Sequence, residues 1–285
     1  TKYCMKKLFA GIPLFVIFCV FLATSCKKSN ELAGTPNNLN FDTINAVEVF
    51  HLDNDSTKPS CSLKIKYIVP SEYADTAVLS NMQREIGNIV FESSEYEHMS
   101  PAEAVKKYIA DYVHDYKEEA KKAFANWEDS GETLDYFSYY KTIESEILYN
   151  LSGILSYQVK SMDYKGGANS HTEYKNIVIT LETGEPVHEK DIFIQDYKKV
   201  LDSLLLQKLY DQNKVNTVEE LYELGFSRIE DLTSNDNCWI NEKGLTDSFS
   251  QGDYSTPSIG EIRIFVSYGE IKHILKEESP ISVLL

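Results

Sequence analysis

Basic side chains are scarce in this chain: 28 lysines and arginines stand against 44 aspartates and glutamates, a formal net charge of −16. A protein that displaces phosphate counterions needs the reverse balance, so nucleic acid is excluded as a partner. Histidine is thin as well, and none of His51, His98, His114, His171, His188 and His273 stands at HxxxH or HExxH spacing from another. A sequence-local zinc site is therefore lacking, and neither a metal nor another cofactor is expected. His171, His188 and Asp191 would have to meet through loops to form one, and solvated turn residues are the plainer account. No G-x-S-x-G elbow occurs, and Gly166-Gly167 lacks the lysine and following helix of a phosphate loop. Cysteine is sparse: only Cys61 and Cys238 lie beyond the amino-terminal segment, too few for a disulfide framework. They could pair in an oxidising compartment, or stay apart; Cys61 stands in an alternating strand as a small hydrophobe would.

Long apolar runs are also missing, with one exception. Met5-Lys6-Lys7 supplies a short positive region, Leu8 to Leu22 is almost wholly apolar, and Leu22-Ala23-Thr24-Ser25-Cys26 closes it with small residues before a thiol. This order is that of a bacterial lipoprotein leader, residues 1–25, read from Met5. Cys26 is then the lipidation site, carrying diacylglycerol and palmitate-type chains that hold the protein at the envelope. The competing reading, an uncleaved anchor, has a run short of the roughly 20 residues a span requires. The leader holds Lys2, Lys6 and Lys7 and no acid, so the remainder is more acidic still. Residues 26–45, rich in Asn, Ser, Thr and Pro, read as a flexible tether.

The body divides into a strand and helix part, 46–135, and a sheet and helix part, 136–278. Val47 and Val49 alternate, as do Cys61, Leu63, Ile65, Tyr67 and Val69, predicting two strands. A helix capped by Asp75 follows to about Phe91, with Leu79, Met82, Ile86 and Ile89 on its apolar side. Ser100-Pro101-Ala102-Glu103 is a capping box with proline at the first helical position. Val105, Ile109, Tyr112, Tyr116, Ala120, Ala123 and Trp127 then recur at helical spacing, a stripe read as core-facing, before Gly131 ends the region. Tyr140 to Phe193 carries the longest period-two pattern. Ile143, Ser145, Ile147, Tyr149, Leu151, Leu155, Tyr157 and Val159 take the buried face; Glu144, Glu146, Gln158 and Lys160 take the wet one. Reversals at Gly153 and Tyr164–Asn169 make an antiparallel meander. Beyond it, Gln195–Tyr210 and the Thr217–Glu220 capping box predict two helices, Trp239–Leu245 a hairpin, Ile262–Tyr268 a strand and Glu270–Lys276 a final turn. The order is that of an α+β fold: antiparallel meander sheets packed with helices, in two interlocked subdomains.

Asn150-Leu151-Ser152-Gly153-Ile154-Leu155-Ser156, Tyr164-Lys165-Gly166-Gly167-Ala168, Thr183-Gly184 before Asp191-Ile192-Phe193, Trp239 with Gly244-Leu245, and Gly260-Glu261-Ile262 ending in Tyr268-Gly269-Glu270-Ile271 carry a resemblance. Over roughly residues 45–278 the chain resembles the paired domains of unknown function in the extracytoplasmic part of lysozyme-responsive anti-sigma factors. The same pair stands beside some peptidoglycan deacetylase domains and in stand-alone lipoproteins. The resemblance implies an α+β fold with a binding or sensing role, and no catalysis. One departure stands out: the double glycine is usually followed by Ala-His, whereas here Ala168 precedes Asn169-Ser170-His171. No counterpart of the anti-sigma factors' cytoplasmic tail or membrane span is present, which points to the lipoprotein form.

These readings converge on a non-catalytic, lipid-anchored envelope protein, periplasmic or surface-facing. Its expected partners are the membrane, through the anchor, and a lysozyme-like protein or a peptidoglycan ligand. Tyr136, Tyr139, Tyr140 and His171 are the candidate ligand-binding residues, because tyrosines in a turn can stack on sugar rings. The alternative is an envelope glycan hydrolase using a carboxylate pair, which 44 acids make possible without marking any two.

Overall fold

The computed structural model describes residues 33–124, 133–167 and 169–285. The leader, Cys26, the first part of the tether, Trp127, Gly131 and Ala168 lie outside the described residues. The chain forms β1 (Asn40–His51), β2 (Ser60–Glu72), α1 (Thr76–Phe91), α2 (Pro101–Phe124), β3 (Tyr139–Leu151), β4 (Ile154–Tyr164) and β5 (His171–Thr180). It continues with α3 (Glu189–Ile192), α4 (Lys198–Asn213), α5 (Val218–Glu223), β6 (Cys238–Ile240), β7 (Gly244–Phe249), β8 (Ile262–Ser267) and α6 (Tyr268–Ile271). The fold is α+β. The tether ends earlier than residue 45: β1 begins at Asn40, Leu39 is buried, and the Asn37 amide donates to the Ile154 carbonyl.

Helix starts follow their caps. The Asp75 carboxylate accepts from the amides of Ala77 and Val78, and Ser100 and Glu103 satisfy each other's backbone N–H groups. On α1 the expected Met82 and Ile86 are buried, but the ends of the row are Val78 and Val90, with Leu79 and Ile89 half-buried at its flanks. On α2 the expected stripe holds at Val105, Tyr116 and Ala120, while Ala123 is exposed.

Strand order in the first sheet is β1-β2-β3-β4-β5. The β3–β5 meander is antiparallel as expected, but β2 joins β3 in parallel from Cys61–Tyr139 to Lys66–Glu144. The sheet therefore draws strands from both sides of residue 135. Where β2 and β3 part, the Ser145 hydroxyl accepts from the Ile68 amide and donates to the Lys66 carbonyl, so these two backbone groups are paired without the ladder. β6, β7 and β8 form a second, antiparallel sheet.

The face expected to be wet is partly covered. A register irregularity between Ile147 and Tyr149 turns Tyr149 out of the first core into the second, and β4 is buried from Ile154 to Val159 without alternation. The second sheet lies against it: the Ser156 hydroxyl donates to the Ile240 carbonyl and accepts the Ile240 amide. One apolar core fills the space between the first sheet and α1 and α2; the other joins the second sheet to α4 through Leu201, Leu205 and Leu209. The outer edge of β5 is closed by side chains. Asn237 accepts from the Asn176 amide and donates to the Tyr174 carbonyl, and Ser250 and Gln251 take the amides of Tyr174 and Thr172.

Cys61 and Cys238 are free and buried in separate clusters, so the disulfide left open by the sequence does not form. Burial pushes the Cys61 thiol up to about 11 and the Cys238 thiol well above its usual range. The native protein is expected to resist an aromatic disulfide reagent at pH 8 and to react at both positions once unfolded; rapid native reaction at either site would contradict this packing.

Candidate functional site

Helix α2 carries two parallel rows at four-residue spacing. Tyr108, Tyr112 and Tyr116 form one, and Asp111, Asp115 and Glu119 the other. The helix crosses the first sheet where β3 presents Tyr139 and Lys141 and β4 presents Asp163, the register partner of Lys141. With Tyr96 and Lys165 these residues line a cavity of about 170 Å³.

Ring contacts hold the walls. Tyr116 meets Tyr139 edge-on at 5.2 Å, and Tyr96 meets Tyr108 at 5.9 Å. The Tyr116 hydroxyl donates to the Phe137 carbonyl at 3.2 Å, and the Tyr96 hydroxyl donates to Asp111 at 2.8 Å. Lys107 bonds Asp111 at 2.6 Å and Glu95 at 3.0 Å, and Lys165 stands 4.0 Å from Glu119. Asp115 has no ion-pair or hydrogen-bond partner among the described residues. Burial keeps the phenols of Tyr96, Tyr108, Tyr112 and Tyr116 above their ordinary range, so they remain hydroxyl donors. Burial opposes the Lys141 ammonium, yet Tyr108, Glu92 and Asp163 outweigh it and hold its pKa above the usual value. The Lys107 hydrogen bond holds the Asp111 carboxyl low. The groove thus offers aromatic faces, protonated phenols and anionic acceptors side by side.

Of the four residues singled out by sequence, Tyr139 alone lines this cavity. Successive strand residues point to opposite faces, so Tyr140 turns away and stacks on Tyr164 at 5.1 Å and 13°. Tyr136 packs edge-on against Phe137 and lies over Gly166, where a Cβ would come within 2.9 Å of the Tyr136 carbonyl. His171 is exposed, opposite Asp163 in register, and is not part of the cavity wall. It does not meet His188, whose ring bonds Asp236 at 2.6 Å near the far end of β5. No group of three or more His, Cys, Asp or Glu among the described residues is placed to hold a metal ion.

Tyr112 and Tyr116, read from spacing as core-facing, serve both purposes: Tyr116 is buried, Tyr112 half-buried at the groove. The usable signal was the carboxylate row beside the tyrosine row.

A family profile described as "Deacetylase PdaC" matches residues 55–172, a stretch containing every residue of the groove. No curated protein matches the chain. The crystal structure of a DUF3298 family member from Bacteroides fragilis superposes with a TM-score of 0.80 at 28% identity, covering 88% of this chain and 97% of that one. The chain resembles the DUF3298 proteins. A DUF3298 family protein from Pseudomonas aeruginosa shares the fold, with a TM-score of 0.59 at 10% identity over 85% of this chain and 96% of that one. DUF3298 denotes a domain of unknown function, so the likeness supports that part of the expected resemblance; the anti-sigma and lipoprotein contexts are separate matters. Among the described residues of this DUF3298-like chain no helix is long and apolar enough to cross a membrane.

Proposed function

We propose that this DUF3298-like chain is a non-catalytic binding module, moored to the bacterial envelope by an acylated Cys26, whose tyrosine groove takes a cell-wall glycan. The observation that carries the reading is the pairing of the Tyr108-Tyr112-Tyr116 and Asp111-Asp115-Glu119 rows over Tyr139, Lys141 and Asp163. A sugar ring has an apolar C–H face and an equatorial belt of hydroxyls. Tyrosine faces suit the first, and carboxylates and phenols the second.

A hydrolase built on a carboxylate pair needs one carboxyl that keeps its proton. Asp111 is shifted in the opposite direction, and the carboxyl that burial does push up, Asp247, belongs to the second sheet. The matched profile is that of a deacetylase, and residues 55–172, which it spans, contain the groove. The acidic row also suits a cationic protein, so lysozyme is the second candidate ligand, favoured by the net charge of −16.

Calorimetric titration with soluble peptidoglycan fragments, and separately with lysozyme, tests the proposal. Tyr112→Ala should weaken glycan binding by about 1 kcal/mol, roughly fivefold, while Tyr140→Ala on the opposite sheet face should leave it unchanged. Binding of neither ligand would reject the module reading. Lysozyme binding alone would move the ligand from glycan to protein.

A further inference from the structure

We infer that the tyrosine groove is one end of a longer channel along α2, and that its ligand is an oligosaccharide chain engaging a second subsite in front of Gly87. The inference rests on the glycan reading and adds the ligand's length and course. A cavity of about 340 Å³ opens between α1 and the segment leading into α2. Tyr67, Phe91 and Tyr96 form its aromatic wall, with Ser80, Gln83 and Arg84 on α1. Tyr96 is also a wall of the groove, so the two concavities share a side chain.

The connection is aromatic. Phe91 lies 5.3 Å from both Tyr96 and Tyr108, which makes a run of rings from one cavity into the other. From Ala104 to Glu119 the helix advances about 22 Å at 1.5 Å per residue, longer than a single sugar ring needs.

Gly87 gives the independent observation. It stands inside the sixteen-residue helix α1, where glycine is a poor helix former, and it lines the 340 Å³ cavity. A Cβ built there meets nothing within 4 Å. A side chain would fit, would favour the helix and would fill the cavity; glycine leaves it open. Packing gives no reason for glycine at this position, whereas a subsite does.

The test compares N-acetylglucosamine oligomers of two and six units by calorimetry on the full chain. Wild type should bind the longer oligomer about tenfold more tightly. Gly87→Leu should raise the melting temperature, abolish that length gain and leave the short oligomer's affinity in the groove unchanged. Ser80→Trp, at an exposed rim position, should do the same should Gly87→Leu fold poorly. Equal affinity for both lengths in wild type, or a full length gain in both variants, overturns the second subsite while leaving the groove intact. Binding of neither oligomer overturns the glycan reading and this inference together.

Discussion

Replacing Asp247 by asparagine should stabilise the protein at neutral pH and flatten the loss of stability between acid and neutral conditions. Asp247 lies in the middle of β7, fully buried, opposite Cys238, and neither of its carboxyl oxygens has a hydrogen-bond partner. Burial comes first among the causes that push its pKa well above 3.8, followed by the like charges of Glu189, Asp202 and Asp236, with Lys198 opposing. Glu189 is equally buried but has the Tyr197 and Ser234 hydroxyls and the Asp236 amide as hydrogen-bond donors, whereas Asp247 has none. A raised folded pKa means that the native state holds this proton more tightly than the unfolded chain. Its contribution is intact below the unfolded value and is lost as pH climbs toward the folded one, at about 1.4 kcal/mol per pH unit. Asparagine has no such proton to lose. Denaturation of both proteins from pH 3.5 to 8 should give a difference near zero at the acid end that widens to roughly 1–3 kcal/mol at neutrality. Parallel curves would mean that Asp247 has found a partner in solution.

That carboxyl shows where reading from sequence stopped short. Asp247 follows Thr246 in a run that spacing treats as ordinary hairpin, and nothing local says that β6, β8 and α4 will enclose it. The elements that were legible are those specified by their own residues: α1 from Asp75, α2 from the Ser100–Glu103 box, the β3–β4 reversal from Ser152-Gly153 at φ 60° and 75°. Faces and partners were less so. Period-two alternation predicts one buried side, yet a single irregularity at Ile147/Tyr149 and a second sheet on the far side gave β4 two buried faces. The parallel seam between β2 and β3 spans both helices, so no short-range pattern encodes it. The candidate site failed in the same manner. Tyr139 and Tyr140 are neighbours in sequence and opposite in space, while Tyr139 and Tyr112 are distant in sequence and share a wall. Glu270, expected to begin a final turn, is the N3 residue of a capping box and caps the start of α6 through Ser267. Lys208, at 2.6 Å, and the Ser267 hydroxyl and amide hold its carboxyl down to about 2.

The motif glycines divide sharply once their surroundings are known, and Gly244→Ala is expected to be the most damaging single-methyl change in the second sheet. Gly244 opens β7 opposite Ser267 of β8. A Cβ there would fall 2.1 Å from the Val266 carbonyl oxygen and 2.9 Å from both the Ser267 Cα and the Phe265 ring. Two of these three are backbone atoms, which cannot rotate aside, so β7 must move away from β8. Because β7 is the central strand, its displacement also strains the pairing with β6 and the seat of Ile240 on Ser156. The cost should reach about 3 kcal/mol, the upper part of the overpacking range, or on the order of 10 °C in melting temperature for a protein of this size. Gly269→Ala is the matched control: its Cβ would have no neighbour nearer than the Ser267 Oγ at 4.0 Å, and it lies in the first turn of α6. That variant should melt within about 0.5 kcal/mol of wild type. The groove on α2 lies against the first sheet, so the folded fraction of Gly244→Ala should bind its ligand with unaltered affinity below its melting point. A Gly244→Ala protein as stable as wild type would mean that β7 and β8 do not approach as closely as the structure has them.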